Sequence, residues 1–336
     1  MRKKVILLVN TGTPDKPEVK QVRRFLSEFL NDSRIIDLPW VLRKILVNLV
    51  IIPFRVRRSA RLYRKLWTPN GAPLLLNMEN LILKLRIRIG ENHTIYGAMR
   101  YGNPSLKEVL QKIKNISADE IIIIPLFPQY ASSTTGSVNS LILKQISKWN
   151  IIPAITFTGQ FYSHPAFLNV FTKQIKKYNP ESFDHVLFSY HGLPLSHIKE
   201  IHNGKYEADC NCKIKLPDYG TFCYKAACYE TTRLLAQRLN LNQESYSTTF
   251  QSRLSKNWLS PFTDATIVEL ANKKIRRLLI VAPAFVADCL ETLVEIKEEY
   301  GELFKKSGGE ELVLVESLND SDEWADVIIE IVDDRQ

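Results

Sequence analysis

The chain has 336 residues, with 45 Lys+Arg against 36 Asp+Glu and a formal charge of +9. Apolar residues make up 45% and charged residues 24%, a globular balance that excludes a disordered chain, and 13 Gly with 16 Pro exclude a collagen-like or low-complexity one. Five cysteines, four of them clustered, argue against a secreted disulfide scaffold. The start, Met1-Arg2-Lys3-Lys4 before Val5–Val9, has the basic-then-apolar order of a signal peptide. The apolar run is short and no small-residue cleavage site follows, so Lys4–Val9 reads as a buried strand. No stretch approaches the roughly 20 apolar residues of a membrane span, and a cytoplasmic location is expected.

Val19–Leu30 reads as a helix. Beyond it the charge becomes lopsided: residues 1–100 carry 20 Lys+Arg and 7 Asp+Glu, a net of +13, and the rest of the chain is net −4. The densest basic stretch, Arg55, Arg57, Arg58, Arg61, Arg64 and Lys65, follows the apolar run Leu46–Phe54. Apolar residues beside Arg and Lys suit a membrane surface or an anionic ligand with a greasy body. A helix pair with one solvated basic face is the plainer alternative. No nucleic-acid-binding motif accompanies the charge, so nucleic acid is not an expected partner.

Strand and helix then alternate. Strands are expected at Thr94–Gly97, Glu120–Ile124 and Ile152–Phe157, with helices at Ser105–Lys114, Ser137–Lys148 and His164–Tyr178. Further strands are expected at His185–Ser189, Ser245–Thr249, Arg277–Ala282 and Glu311–Val315. The helices among these are Cys223–Leu239, Asp264–Asn272, Asp288–Phe304 and Asp320–Val332. Near-continuous Ile/Val/Leu strands between amphipathic helices indicate an α/β fold with mostly parallel sheets. The halves repeat: Val5–Pro14 aligns with His185–Pro194, setting Thr11 against His191, and Ile122–Phe127 with Ser133-Thr134 aligns with Ile280–Phe285 and Glu291-Thr292. Two similar doubly wound domains follow, at 1–160 and 161–319, with a hinge near 158–180 and a C-terminal helix over 320–336.

Ligands of open α/β sheets sit beyond the carboxyl ends of strands, so the residues there carry the candidate chemistry. His191 ends a strand and precedes Gly192, a setting for a base or a metal ligand, or for a simple helix cap. Asp288, Glu291, Glu295, Glu298 and Glu302 fall at i, i+3, i+7, i+10 and i+14, one face of an α-helix. Aligned like charges face open water or bind a cation, and a strand-end His nearby favours a divalent-cation path. The hydroxyl-rich loop Phe127–Ser137 offers donors for a carboxylate or phosphate, or plain helix capping. Cys210, Cys212, Cys223 and Cys228 form a cluster whose four thiolates suit an iron–sulfur centre or Zn²⁺, while Cys289 stands outside it.

These segments carry a resemblance. Leu187–Pro194, Phe250-Gln-Ser-Arg253, Trp258-Leu-Ser-Pro261 with Thr263-Asp264, and Pro283–Leu293 resemble the ferrochelatase family. Pro128-Gln-Tyr130 with Thr134–Ser137, and Met99-Arg100-Tyr101, match it too, in family order over nearly the whole chain. The resemblance implies two Rossmann-like domains with four-stranded, mostly parallel sheets in a chelatase-like arrangement. It implies insertion of Fe²⁺ into protoporphyrin IX with release of two protons, the last step of haem synthesis. His191 and Glu291 match the catalytic and metal-contacting positions, and Asp288, Glu295 and Glu298 extend an acidic metal path. Met99, Tyr130, Trp258 and Phe285 match porphyrin walls, while Arg100, Ser133 and Thr134 are expected to hold propionates. Residues of about 38–67 resemble the family's lip over the porphyrin cleft, which can also touch membrane. Within an insert of about 202–228, the four clustered cysteines look like an internal [2Fe–2S] site, with Zn²⁺ as the alternative occupant. Coproporphyrin, another tetrapyrrole–metal pair, and a non-catalytic haem or iron–sulfur sensor are the rival readings.

Overall fold

The computed structural model describes residues 3–90, 93–199, 201 and 210–334, and all eight expected strands form within them. The chain divides into two units, each described by itself. One holds Met1–Phe127, Ser132–Gly159 and Asn319–Gln336; the other holds Pro128–Ala131 and Gln160–Leu318. The C-terminal segment therefore folds with the first unit, and Pro128–Ala131 with the second, a departure from a simple division at 160/161. Residues 202–209, the first part of the expected cysteine insert and including His202, lie outside the described residues.

The first unit is built on β1 (Lys4–Asn10), β2 (His93–Met99), β3 (Glu120–Pro125) and β4 (Ala154–Phe157), all parallel in the order β2-β1-β3-β4. Six of the seven β1 residues are buried, as a Val/Ile/Leu strand covered on both faces requires. Val5, Leu7 and Val9 pack in one cluster with Leu106, Val109, Leu110, Ile113, Val138, Ile142 and Ile146. The helices are α1 (Val19–Leu30), α2 (Trp40–Ile45), α3 (Ile52–Leu66), α4 (Pro73–Arg88), α5 (Leu106–Lys114) and α6 (Ser137–Ile146). The helix Asp322–Asp333 completes the unit: Arg88 of α4 bonds Asp322 at 2.8 Å and Asp326 at 2.9 Å.

The expected lip is one bent helical run. A π-helical segment, Leu46–Ile51, joins α2 to α3. Arg43 is buried beneath it and donates to the carbonyls of Asn31 and Leu38. Trp40, Val41, Leu42, Ile45, Leu49 and Phe54 are exposed, Phe54 by 83%. Arg55, Arg57, Arg58, Arg61 and Arg64 are exposed on α3, so the basic face carries an apolar one beside it.

The second unit repeats the topology. Strands β5 (His185–His191), β6 (Tyr246–Gln251), β7 (Arg277–Val281) and β8 (Glu311–Leu314) are parallel in the order β6-β5-β7-β8. Its helices are α7 (Pro165–Lys176), α8 (Ser196–Lys199), α9 (Tyr224–Arg238), α10 (Thr263–Asn272) and α11 (Gly301–Lys306). Leu187, Leu278 and Ile280 pack with Ile267, Leu270, Ile296 and Phe304, which pins the acidic segment to this sheet. No helix among the described residues is long and apolar enough to cross a membrane.

The internal repeat extends to irregular features. Each unit has a π-helical segment after its third strand: Ser132–Gly136 after β3, and Glu291–Tyr300 after β7. Each also has a glycine after its central strand that no other residue replaces. A Cβ on Gly12, at φ +115°, would sit 1.8 Å from the Tyr101 carbonyl oxygen. A Cβ on Gly192 would sit 2.8 Å from the Gln251 carbonyl oxygen and 3.3 Å from the Trp258 ring.

Candidate active site

His191 is the last residue of β5 and is half-buried. Its Nδ1 lies 2.6 Å from the Gly192 carbonyl oxygen. A carbonyl only accepts, so Nδ1 carries the proton and Nε2 presents the lone pair. Gly192 N donates to Gln251 O at 2.8 Å, Leu195 N donates to Asn257 O and Leu259 N donates to Leu193 O. This stitching brings Trp258 to the strand end. The imidazole lies 6.4 Å from the Trp258 ring and 6.5 Å from the Phe285 ring, centroid to centroid. His185, at the other end of β5, is different: burial pushes it down to about 4, and its Nε2 bonds Ser247 Oγ. It is a neutral structural histidine.

Glu291 and Glu295 lie on the π-helical segment. Cys289 Sγ donates to Glu291 Oε2 at 3.1 Å, and burial pushes that thiol well up, so it remains a donor. Thr292 Oγ1 accepts from Cys289 N and closes the start of the segment. Glu295 accepts from Ser252 N at 2.8 Å, Ser252 Oγ at 2.5 Å and Tyr300 Oη at 2.8 Å. Ser252 adopts φ +62°, a conformation a serine rarely takes, and this turns both of its donors onto the carboxylate. Burial raises the Glu295 pKa; the bonds from Ser252 and Tyr300, and His191 when it holds a second proton, oppose that rise, and Glu291 adds to it. His191, Glu291 and Glu295 therefore form one electrostatic group.

The expected stripe of five carboxylates does not form. An α-helix stacks residues at i+3, i+4 and i+7, whereas i→i+5 winding turns less per residue. Glu298 is consequently exposed to water on a different side from the buried residues of the segment. Asp288 precedes the helix; it is buried and accepts from Ser317 N at 3.4 Å.

The hydroxyl-rich loop of the first unit makes a second polar cluster. Asp32 Oδ2 accepts from Ser137 Oγ at 2.5 Å, from Tyr101 Oη at 2.9 Å and from Arg100. Asp32 Oδ1 accepts from Arg34 N at 2.9 Å. Burial works against the charge, but Ser137, the Arg34 amide, the Arg100 guanidinium and Tyr101 outweigh it and hold the carboxyl below its usual range. Arg100, expected to hold a propionate, is instead committed to Asp32 and Ser137, its Nε 2.7 Å from Ser137 Oγ. Arg34 takes the more open place: half-buried, it donates to Ser132 Oγ at 2.8 Å, at the head of the π-helical loop with Ser133 and Thr134. Met99, expected as a wall, is fully buried at the end of β2. Tyr130, in the second unit, packs edge-on against Phe222 at 5.7 Å.

The four clustered cysteines lie in the second unit. Cys210 flanks the turn Asn211–Lys213, whose carbonyls accept from Arg233 at 3.0 and 3.2 Å. Cys223 is the N-cap residue of α9. Cys212, Cys223 and Cys228 are buried. Burial and their mutual charges push these thiols up, Cys212 to about 12, with Lys225 acting against the rise at Cys212 and Cys223.

Comparison with known proteins decides the family. The Ferrochelatase family profile matches residues 3–336. The chain belongs to the ferrochelatase family. It is 41% identical over 333 residues to the ferrochelatase of Legionella pneumophila (strain Corby), covering 98% of each chain. It is 40% identical over 328 residues to that of Coxiella burnetii (strain Dugway 5J108-111), covering 96% of this chain and 91% of that one. Its fold resembles the cobalt-bound sirohydrochlorin chelatase SirB of Bacillus subtilis subspecies spizizenii, with a TM-score of 0.55 at 9% identity. That match covers 99% of this chain and 95% of the other. SirB from Bacillus subtilis with Fe3+ gives a TM-score of 0.56 at 10% identity over the same shares.

For this ferrochelatase-family chain, sequence reasoning named His191, Glu291 and Glu295, which share one neighbourhood. It overlooked Asp32, Arg34, Tyr224 and Tyr300. Ser252 stood inside a quoted motif without a role. The one available signal was position: Ser252 follows a strand end.

Proposed function

We propose that this protein is a metal chelatase that inserts Fe²⁺ into protoporphyrin IX, the last step of haem synthesis. The observation that carries the reading is the Nε2 lone pair of His191, in one electrostatic group with Glu291 and Glu295 and flanked by Trp258 and Phe285. Insertion exchanges two pyrrole N–H protons for one dication, so charge at the macrocycle balances only if nearby groups take both protons. His191 Nε2 is the acceptor that has its lone pair exposed at the strand end. Glu291 attracts the incoming cation, its carboxylate oriented by the Cys289 thiol. Burial raises the pKa of the Glu295 carboxyl, which makes it a better proton carrier than an exposed carboxylate. Trp258 and Phe285 supply flat apolar contact for a porphyrin ring.

Substrate choice is tested by initial rates of Fe²⁺ insertion, measured anaerobically with protoporphyrin IX and coproporphyrin III. Co²⁺ with sirohydrochlorin serves as the third pair. Protoporphyrin is expected to give the highest kcat/KM; a higher value for either rival overturns the assignment.

The cysteines support a bound [2Fe–2S] cluster. Cys210, Cys212, Cys223 and Cys228 supply four soft donors, three of them buried. Buried thiols with raised pKa become thiolates only when a cation compensates them, and bound iron provides that charge. When bound, such a cluster supplies a one-electron redox centre. Iron and acid-labile sulfide in the purified protein test this reading; stoichiometric zinc without sulfide overturns it.

The lip supports peripheral contact with a membrane surface, through exposed apolar residues beside exposed arginines. The protein is expected to co-sediment with vesicles containing phosphatidylglycerol. Phe54→Asp with Leu49→Asp is expected to lower that binding at least tenfold, and salt to weaken it. Equal sedimentation of wild type and variant contradicts the contact.

A further inference from the structure

In the parallel register Thr249 of β6 pairs with Ser189 of β5 and Gln251 pairs with His191, so these four side chains leave the sheet on one face. Leu187, further back on that face, packs with Ile267 and Ile280 in the apolar core. A buried polar layer thus lies between the core and the imidazole. Ser189, Thr249 and Thr263, the first residue of α10, are fully buried, and Gln251 is 1% exposed. Ser189 Oγ lies 2.9 Å from Thr263 Oγ1, which lies 3.0 Å from Thr249 Oγ1.

Gln251 brackets His191 along the chain. Its carbonyl accepts at 2.8 Å from the amide of Gly192, the residue after the histidine. Its side-chain Oε1 accepts at 2.7 Å from Ser189 Oγ, two residues before the histidine. Between these anchors the His191 carbonyl accepts from Tyr224 Oη at 2.9 Å. Directly after Gln251 comes Ser252, at φ +62°, whose amide and hydroxyl both reach Glu295. A strained conformation persists only where its surroundings over-determine it. Gln251, clamped through main chain and side chain, supplies that constraint on the preceding side.

The arrangement costs stability. Nε2 of Gln251 is buried and has no hydrogen-bond partner among the described residues. Burying an unpaired amide donor carries a penalty that an apolar side chain of the same length avoids. Methionine would fill the space with no donor to satisfy, so the fold alone gives no reason for glutamine here.

We propose that Gln251 is a positioning residue for iron insertion: one clamped side chain sets the imidazole of His191 and, through Ser252, the carboxylate of Glu295. The inference rests on the chelatase reading of those two residues.

The test compares wild-type protein with Gln251→Met, Ser189→Ala, their double variant and Thr249→Val, assayed anaerobically with Fe²⁺ and protoporphyrin IX. The measurements are kcat, KM for porphyrin and the thermal unfolding midpoint. Gln251→Met is expected to lower kcat about fivefold to tenfold, the scale of one hydrogen bond. Its KM for porphyrin is expected to stay unchanged, because Trp258 and Phe285 remain. Its unfolding midpoint is expected to equal or exceed that of the wild type, because Ser189 keeps Thr263 as a partner and the unpaired donor is gone. Ser189→Ala is expected to match it in kcat, and the double variant to lose no more than either single one, because both remove the same bond. Thr249→Val removes a hydroxyl of the same layer that bonds Thr263 rather than Gln251, and is expected to leave kcat unchanged. A wild type that binds porphyrin and inserts no iron overturns the chelatase reading, and this role with it. With an active wild type, four results each overturn the positioning role alone. These are wild-type kcat in Gln251→Met or Ser189→Ala, additive losses in the double variant, a loss shared by Thr249→Val, or a lowered unfolding midpoint in Gln251→Met.

Discussion

His191→Ala is expected to lower kcat for iron insertion by about 10²- to 10⁴-fold, the range supplied by a positioned proton acceptor. The fold is expected to survive. The imidazole is half-buried, its Nδ1 bond is local, to the next residue, and the rest of β5 is held by pairing with β6 and β7. Porphyrin affinity is expected to change little, since Trp258 and Phe285 remain. Added imidazole is expected to restore part of the rate, because the deletion leaves a gap of its shape. The measurement is kcat with and without imidazole, alongside the thermal unfolding midpoint. A variant within threefold of wild type removes His191 from the mechanism.

Asp32→Ala is expected to carry the largest stability cost, about 3–5 kcal/mol, because it strips a partly buried guanidinium of its counter-charge. The Asp32 side chain is 8% exposed and that of Arg100 is 17% exposed. Ser137, Tyr101 and the Arg34 amide lose their acceptor in the same step. Loss of order in the loop carrying Ser132 to Gly136 is the expected functional effect. The pH dependence has a definite sign. The folded state holds the Asp32 carboxyl below its usual range, so its stabilisation is complete above the unfolded value of about 3.9. It is lost as pH falls through the folded value. The stability gap between wild type and Asp32→Asn, measured by urea unfolding, is expected to be level from pH 5 to 8 and to shrink below about pH 4. A gap that widens on acidification contradicts the assignment.

Both effects follow from one topology used twice. In each unit the chain leaves the central strand past an irreplaceable glycine and leaves the third strand into a π-helical segment. Thr11 occupies in the first unit the place of His191 in the second. Ser133 and Thr134 occupy the place of Glu291 and Thr292. The hydroxyl version suits anion binding, and the imidazole–carboxylate version suits protons and a cation.

The strands were legible because parallel strands buried on both faces read as unbroken Ile/Val/Leu runs, as in Ile121–Ile124. His191 was legible because a strand end followed by Gly marks a ligand-facing position. The carboxylate stripe was misread because sequence periodicity assumes α winding, and the i→i+5 segment leaves no compositional mark. The Arg100–Asp32 pair was not legible because its partners lie 68 residues apart in sequence. Met99 looked like a cleft wall, and burial at a strand end made it core. Bridges such as Tyr224 to His191 are long-range contacts that only a folded chain reveals.

The most direct measurement is single-turnover haem formation. Purified protein is mixed anaerobically with Fe²⁺ and protoporphyrin IX, and the porphyrin and haem absorbance bands are followed in time. The account predicts conversion by the wild type, and porphyrin binding without conversion by His191→Ala. Porphyrin bound by the wild type with no haem formed over many minutes would contradict it, and would favour a haem-binding sensor or another metal–tetrapyrrole pair.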